Sequence, residues 1–238
     1  MRKKLVLLFL YCFLNSYSQT PVQDFNFNGS LVNKTKTATF NGTAKYVVDK
    51  TGNPKGAIRL INESLEANIG NLPQGNSPRT VSIWVKFNDI TEANYIWGYG
   101  SPLNAKYCGL IHQEAYSASS DLCIAGWGAS HDLITTATLV ENTWYNYTFT
   151  YDGNVSSIYR NGILLKSFKG TNRNTLGSVF KIGKANTLIS INADIDDLKI
   201  YDIALTREQV ASLYDLTPIL VSNDEISESD YSNKDKKQ

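Results

Sequence analysis

Ala193 to Tyr214, ADIDDLKIYDIALTREQVASLY, is the stretch on which the fold turns. Ile195, Asp197, Lys199 and Tyr201 alternate with Asp196, Leu198, Ile200 and Asp202, and a period of two in β-forming residues predicts a strand. Thr206-Arg207-Glu208-Gln209 comes next. The Thr206 hydroxyl can accept from the amide three residues on, and the Gln209 side chain can reach back to the Thr206 amide, a reciprocal pair that starts a helix. Leu205, Val210, Leu213 and Tyr214 give that helix an apolar stripe to lay against something larger. Asp194, Asp196 and Asp197 crowd the start of the strand, and like charges so close need a reason.

Outward from this stretch the chain reads as strands and turns. Thr80 to Phe87, TVSIWVKF, puts Val81, Ile83, Val85 and Phe87 on one face and Ser82, Trp84 and Lys86 on the other, as a half-buried antiparallel strand does. Asn161-Gly162 between the alternating runs 156–160 and 163–168 is a hairpin signal, and Asp152-Gly153 is a second, because Gly readily takes positive φ. Further strands are expected at 46–48, 57–60, 65–69, 95–100, 107–113, 121–127 and 180–183, with GWGASHD (126–132) as a loop. Asp24 to Gly29, DFNFNG, alternates aromatic and polar residues before an Asn-Gly turn.

The strand and helix of 193–214 closely resemble the C-terminal signature of laminin-G-like, concanavalin-A-like jelly-roll domains of secreted bacterial proteins. There G-x-I-D-D-[LV]-x-I-Y is followed by A-L-[ST]-x-x-[EQ]-[IV]-x-x-L-Y; here Ala193 stands where the pattern has Gly. TVSIWVKF resembles that family's F-T-[IV]-S-[FW]-W-[VI]-K strand, WYNYTFTYDG its W-x-x-[VY]-x-x-[TS]-Y-D-G strand, and FKIG its [LF]-x-I-G strand. The resemblance runs from about Asp24 to Tyr214. It implies an all-β, antiparallel two-sheet jelly-roll sandwich with one short C-terminal helix, whose opening strand pairs with the strand near Ile195. It implies much less about function, because a superfold hosts many.

Length and the chain ends bound the rest. The sequence has 238 residues, room for one sandwich. Arg2-Lys3-Lys4, the apolar run Leu5 to Leu14 and the small Ser16 and Ser18 predict a secretory signal peptide over 1–18, so the protein is expected to be secreted or at the cell surface. The run is shorter than the roughly 20 apolar residues that span a bilayer, so no membrane span is expected. Loss of 1–18 removes three cations and turns the formal net charge from +1 to about −2. With no basic block outside the tail, nothing recommends nucleic acid as a partner. Residues 19–216 are expected to form the domain, and 217–238, polar and charged, to be a disordered tail or linker. Cys108 and Cys123 then remain as an even pair in an exported chain, most simply a disulfide closing a loop of about 15 residues and worth on the order of 3 kcal/mol. A reactive or metal-binding thiol pair is the alternative.

Catalysis finds little support in the pattern. A glycosidase of this fold needs two carboxylates about 5–5.5 or about 6.5–9.5 Å apart. The usual E-x-D-x-x-E run on one strand is missing, Glu63 and Glu66 are three apart, and Glu92, Glu114 and Glu141 are isolated. Leu110-Ile111-His112-Gln113 has the wrong order for the lyases of this fold, and two His supply a triad or a zinc site poorly.

The acids at 194, 196 and 197 are either a solvated strand end or hard oxygen ligands for calcium. Related laminin-G-like domains often hold a calcium near the sheet edge, and the resemblance makes Asp196 the first ligand, with Asp24, Asn26 and Asn28 of the adjoining strand as partners in a structural Ca2+ site. Trp84 and Trp144 sit in strong strands and are expected to pack in the core or on a sheet face. Trp97, Tyr99, Tyr107, Tyr116, Trp127 and His131 fall on loops and strand ends. Sugar rings offer flat C–H faces ringed by hydroxyls, so an exposed aromatic beside polar side chains suits them. Trp97, Tyr99, Trp127 and His131, near Asn104 and Asp132, are the carbohydrate-binding candidates. Covering one end of the sandwich is the plainer role for the same residues. The expected function is that of an exported, non-catalytic recognition domain for a glycan or cell-surface polymer. A structural or adhesive protein-binding domain is the alternative, and a glycoside hydrolase of the same fold the second.

Overall fold

Val81, Ile83, Val85 and Phe87 are all fully buried, so the eight-residue alternation does drive one face of its strand into the core. That strand, β5 (Arg79–Phe87), lies in the middle of the larger of two antiparallel sheets in this computed structural model. The structure describes residues 19–112, 120–128, 130–184 and 190–214; the expected leader, the tail and Tyr116 lie outside the described residues. The larger sheet runs β12 (Ile163–Lys169), β11 (Val155–Arg160), β10 (Trp144–Tyr151), β5, β14 (Asn192–Tyr201), β3 (Ala57–Ile61) and β2 (Lys45–Val47). The smaller runs β4 (Ser64–Asn68), β13 (Val179–Gly183), β6 (Asn94–Gly100), β7 (Tyr107–His112), β8 (Ser120–Ala125) and β9 (Leu133–Ala137). Their facing sides interleave Phe25, Phe40, Phe87, Trp97, Phe149 and Phe180 in one core.

The two ends of the domain meet as the family resemblance implies. β1 (Gln23–Phe25) pairs with β14, Phe25 opposite Leu198 and Asp24 opposite Lys199. α1 (Arg207–Leu213) starts on the expected reciprocal cap: Gln209 N–H donates to Thr206 Oγ1 and Thr206 N–H to Gln209 Oε1, at 3.3 and 2.8 Å. Its Val210 and the preceding Leu205 bury against Tyr159 and Tyr201 on the outer side of the larger sheet. Thr80 ties the approach down, its Oγ1 donating to the Ile203 carbonyl and accepting from Leu205 N–H. The Asn161-Gly162 turn has positive φ at both residues, which matches the twist of a two-residue hairpin between β11 and β12.

The disulfide expectation is overturned. Cys108 and Cys123 are buried and not bonded to each other. Cys123 sits opposite Ile111, three residues along β7 from Cys108. An odd offset in a pleated sheet sends side chains to opposite faces. Cys108 accordingly lies in the interior with Leu110 and Ile124, whereas Cys123 lies with Tyr95, Tyr107 and Ile111 on the outer side of the smaller sheet. Sulfurs on opposite faces cannot be bridged without backbone movement.

Candidate functional site

Among the described residues, two places outside the core carry aromatic and polar groups together. The first is the β8–β9 loop. Gly126 N–H donates to Asp132 Oδ1 at 2.7 Å, and His131 N–H to the Gly128 carbonyl at 2.7 Å, so the loop closes on itself. A Cβ at Gly126 would sit 2.5 Å from the His131 carbonyl oxygen, which makes the glycine a packing requirement. Between the glycines, Trp127 takes φ +64°, a left-handed conformation that costs a bulky residue energy and that collects at functional sites. Its indole is 46% exposed and rests edge-on against Tyr107, centroids 5.5 Å apart. Asn104, on the exposed β6–β7 turn, comes up to Gly128, and His131 presses on Gly126. Trp127, Asn104, His131 and Asp132 thus share one rim.

Trp97 and Tyr99 do not join them, and the expectation for these two is corrected. β6 runs between β13 and β7, and positions 97 and 99 face the sandwich interior. Trp97 stacks on Phe180 at 5.7 Å, and the Tyr99 hydroxyl donates to the Pro73 carbonyl while accepting from Arg79 Nη1. A strand over 95–100 was legible, but which of its residues turn inward was not.

The second place is the outer face of the larger sheet, where the acid cluster turns out to be an ion-pair network. Alternation puts Asp194 and Asp196 on the same side of β14. Arg59 of β3 clasps Asp194 at two points, Nε to Oδ1 at 2.6 Å and Nη2 to Oδ2 at 2.9 Å, and Lys86 of β5 adds 2.8 Å. Burial works to raise the Asp194 pKa, but the bonds from Arg59, Lys86 and Asn88 prevail and hold it below the ordinary carboxylate value. Lys50 donates to Asp196 Oδ2 at 2.9 Å and to Asp197 Oδ2 at 2.6 Å. Burial and the neighbouring Asp197 outweigh that lysine and push Asp196 up to about 6. The register shift between Asp196 and Lys199 turns Asp197, at φ +44°, toward the same lysine. Lys50 also lies 5.2 Å above the Trp84 ring and Lys86 5.3 Å above Trp144, so both tryptophans are half-buried sheet-face residues under cations.

The donor set expected for calcium does not fit an ion. Asp196 carries the Lys50 ammonium, Asp24 pairs with Lys34 at 2.6 Å, and Asn28 N–H turns back to Asn26 Oδ1 at 3.3 Å. Among the described residues no cluster of three or more His, Cys, Asp or Glu is arranged to hold a metal. Sequence reasoning missed the cations Lys50, Arg59 and Lys86. The signal available was the i, i+2 spacing of Asp194 and Asp196, which predicts a shared face and so a shared need for counter-charge.

A family model for the concanavalin A-like lectin/glucanases superfamily matches residues 62–211. No curated protein matches the sequence. Among solved structures, the chain is similar to domain 4 of AbnA, a GH43 extracellular arabinanase from Geobacillus stearothermophilus in complex with arabinotriose. That likeness is 22% identity at TM-score 0.65, over 82% of this chain and 98% of that one. The ligand-binding domain of botulinum neurotoxin serotype D in complex with N-acetylneuraminic acid is 15% identical at TM-score 0.60, over 82% of this chain and 50% of that one. The receptor-binding domain of botulinum neurotoxin type G is 16% identical at TM-score 0.60, over 83% and 51%. The chain spans about half the length of those toxin chains. No helix of the described residues is long and apolar enough to cross a membrane.

Proposed function

The chain belongs to the concanavalin A-like lectin/glucanases superfamily, and from that membership we propose that it is an exported, non-catalytic domain that recognises a carbohydrate on the Trp127 rim. One observation carries the reading: among the described aromatics expected to form a platform, Trp127 alone stays nearly half exposed, on a loop that holds it at positive φ. Asn104, His131 and Asp132 supply donors and acceptors around it, the chemistry that ring hydroxyls need. Two structural neighbours carry sugars in their own structures, arabinotriose and N-acetylneuraminic acid, which supports the substrate class without naming the ligand. Asp194, Asp196 and Asp197 form an ion-pair network with Arg59, Lys86 and Lys50, which supports a structural role for this acid cluster over a catalytic one. In this reading the Lys50 ammonium does at Asp196 what a structural calcium would have done.

The test is a glycan array followed by calorimetry, arabino-oligosaccharides and sialylated glycans included, with wild type and Trp127→Ala. Binding by wild type that falls by tenfold or more in the variant is expected. Silence of both on the array removes the proposal. A second reading has its own observation: Ile163, Leu164 and Phe168 of the edge strand β12 and Ile134 of the edge strand β9 are exposed apolar residues on sheet edges, which suits a protein partner. A silent array together with a partner whose capture is lost on Phe168→Glu is the outcome that favours it.

A further inference from the structure

Residues 171–175, TNRNT, alternate as a strand does: Thr171, Arg173 and Thr175 are buried, while Asn172 and Asn174 are exposed. Main-chain bonds fix this strap, Asn174 N–H to the Ala105 carbonyl at 2.8 Å and Thr175 N–H to the Gly75 carbonyl at 3.2 Å, and the Tyr151 hydroxyl donates to the Thr171 carbonyl at 2.8 Å. The alternation drives Arg173 inward until it is 1% exposed. Its Nε donates to Ser156 Oγ at 3.2 Å, but Nη1 and Nη2 have no hydrogen-bond partner among the described residues, and neither has the buried Thr175 Oγ1. The guanidinium carbon lies over the Phe149 and Tyr151 rings, 5.1 and 5.8 Å from their centroids. Ring faces can offset part of the charge but accept none of the in-plane N–H bonds that Nη1 and Nη2 carry.

A second guanidinium, Arg79, is also fully buried and lies 5.6 Å from the same Tyr151 ring. Its donors reach the Tyr99 hydroxyl and the Gly75 and Ser77 carbonyls, all of them neutral. Both arginines act on the Cys108 thiol: burial raises it, and the two positive charges pull it back. No ion pair among the described residues uses either arginine. A buried lysine escapes such a position by losing its proton; a guanidinium cannot. Two permanent positive charges therefore share the interior, and no carboxylate among the described residues pairs with either.

We infer that the interior beside Arg173 is a binding site for one small monovalent inorganic anion. Arg173 Nη1 and Nη2 and the Thr175 hydroxyl donate to it, and Arg79 adds its field from across Tyr151. The ion pins the 171–175 strap to the end of the sandwich. A halide fits the chemistry: it accepts from several in-plane N–H groups at once and needs no pocket shaped for a larger anion.

Bromide is the probe. Crystals of the whole chain soaked in sodium bromide are expected to show an anomalous peak within hydrogen-bonding reach of Arg173 Nη1 and Nη2; density there with no anomalous signal overturns the site. In solution, thermal melting at constant ionic strength compares sodium chloride with sodium gluconate, whose anion is too large to enter. A Tm several degrees higher in chloride, saturating with concentration and lost in Arg173→Met, is expected. Equal Tm in the two salts overturns the inference, as does a chloride effect that Arg173→Met leaves unchanged. Should that variant not fold, Thr175→Val is read instead: a roughly tenfold higher chloride requirement supports the site, and an unchanged one refutes it.

Discussion

Arg59 and Asp194 close a two-point salt bridge across β3 and β14, with both carboxylate oxygens engaged at 2.6 and 2.9 Å. Asp194 is fully buried, so its charge is tolerable only while those donors stay. Arg59→Ala leaves Lys86 as the one remaining cation. Breaking a buried pair from one side costs about 3 kcal/mol or more; with Lys86 in place, about 2–3 kcal/mol is expected, read as a lower urea midpoint. Arg59→Lys does not restore it, because an ammonium cannot make the planar two-point contact. The Asp194 contribution has a defined pH sense. Its pKa is depressed in the fold, so its stabilisation is present above the ordinary carboxylate value and lost as pH falls through the depressed one.

Asp196, two residues on, behaves in the opposite sense. Its folded pKa of about 6 lies above the ordinary 3.8 because burial and Asp197 disfavour the charge. Below 3.8 both states hold the proton. Between 3.8 and about 6 the unfolded chain ionises first, so folding stability falls as pH rises through this window and levels off above it. Asp196→Asn is expected to flatten that decline, with Tm against pH from 3.5 to 7 as the measurement. A wild-type slope that persists in the variant assigns the titration elsewhere.

The cysteines stay reduced even under oxidising conditions. Their sulfurs face opposite sides of the smaller sheet, so no small adjustment joins them. A chain beginning at residue 19, unfolded without reductant after oxidising storage, is expected to titrate two thiols, and reductant is expected to leave Tm unchanged. One bridge per molecule, found as no titratable thiol, contradicts the register of β7 and β8.

Much of the fold was legible because the signals were local. The Thr206–Gln209 cap, the Asn161-Gly162 turn and the alternation in β5 each depend on residues within a few positions of one another, and each is found where the sequence puts it. The pairing of β1 with β14 came from resemblance to a family, since nothing in DFNFNG names its distant partner. Burial was harder. A register shift between Tyr95 and Trp97 leaves Tyr95 on the outer side and sends Ile96, Trp97 and Tyr99 into the core, and nothing local in YIWGYG announces it. β9 was not anticipated: LITTA has small, mixed residues, and its edge position asks little of the outward side chains. The salt-bridge partners of Asp194 and Asp196 come from β3, β5 and Lys50, separations of more than a hundred residues that no spacing rule reaches.

Trp127 allows function to be separated from stability at a single position. Its φ of +64° is strained for an indole-bearing residue and unstrained for glycine. Trp127→Gly therefore relieves backbone strain of about 1 kcal/mol while giving up the edge contact with Tyr107, itself worth about 0.5–1.5 kcal/mol. Burial of the covered half of the side chain is lost as well, so this variant is expected to be less stable than wild type by about 1–3 kcal/mol. The proposed carbohydrate binding, through the exposed side of Trp127, is expected to vanish. Trp127→Ala loses the contact without gaining the backbone freedom, so it should be the less stable of the two. If the glycine variant unfolds well below both, Trp127 is a structural strut of the loop; if it binds as tightly as wild type, the sugar sits elsewhere.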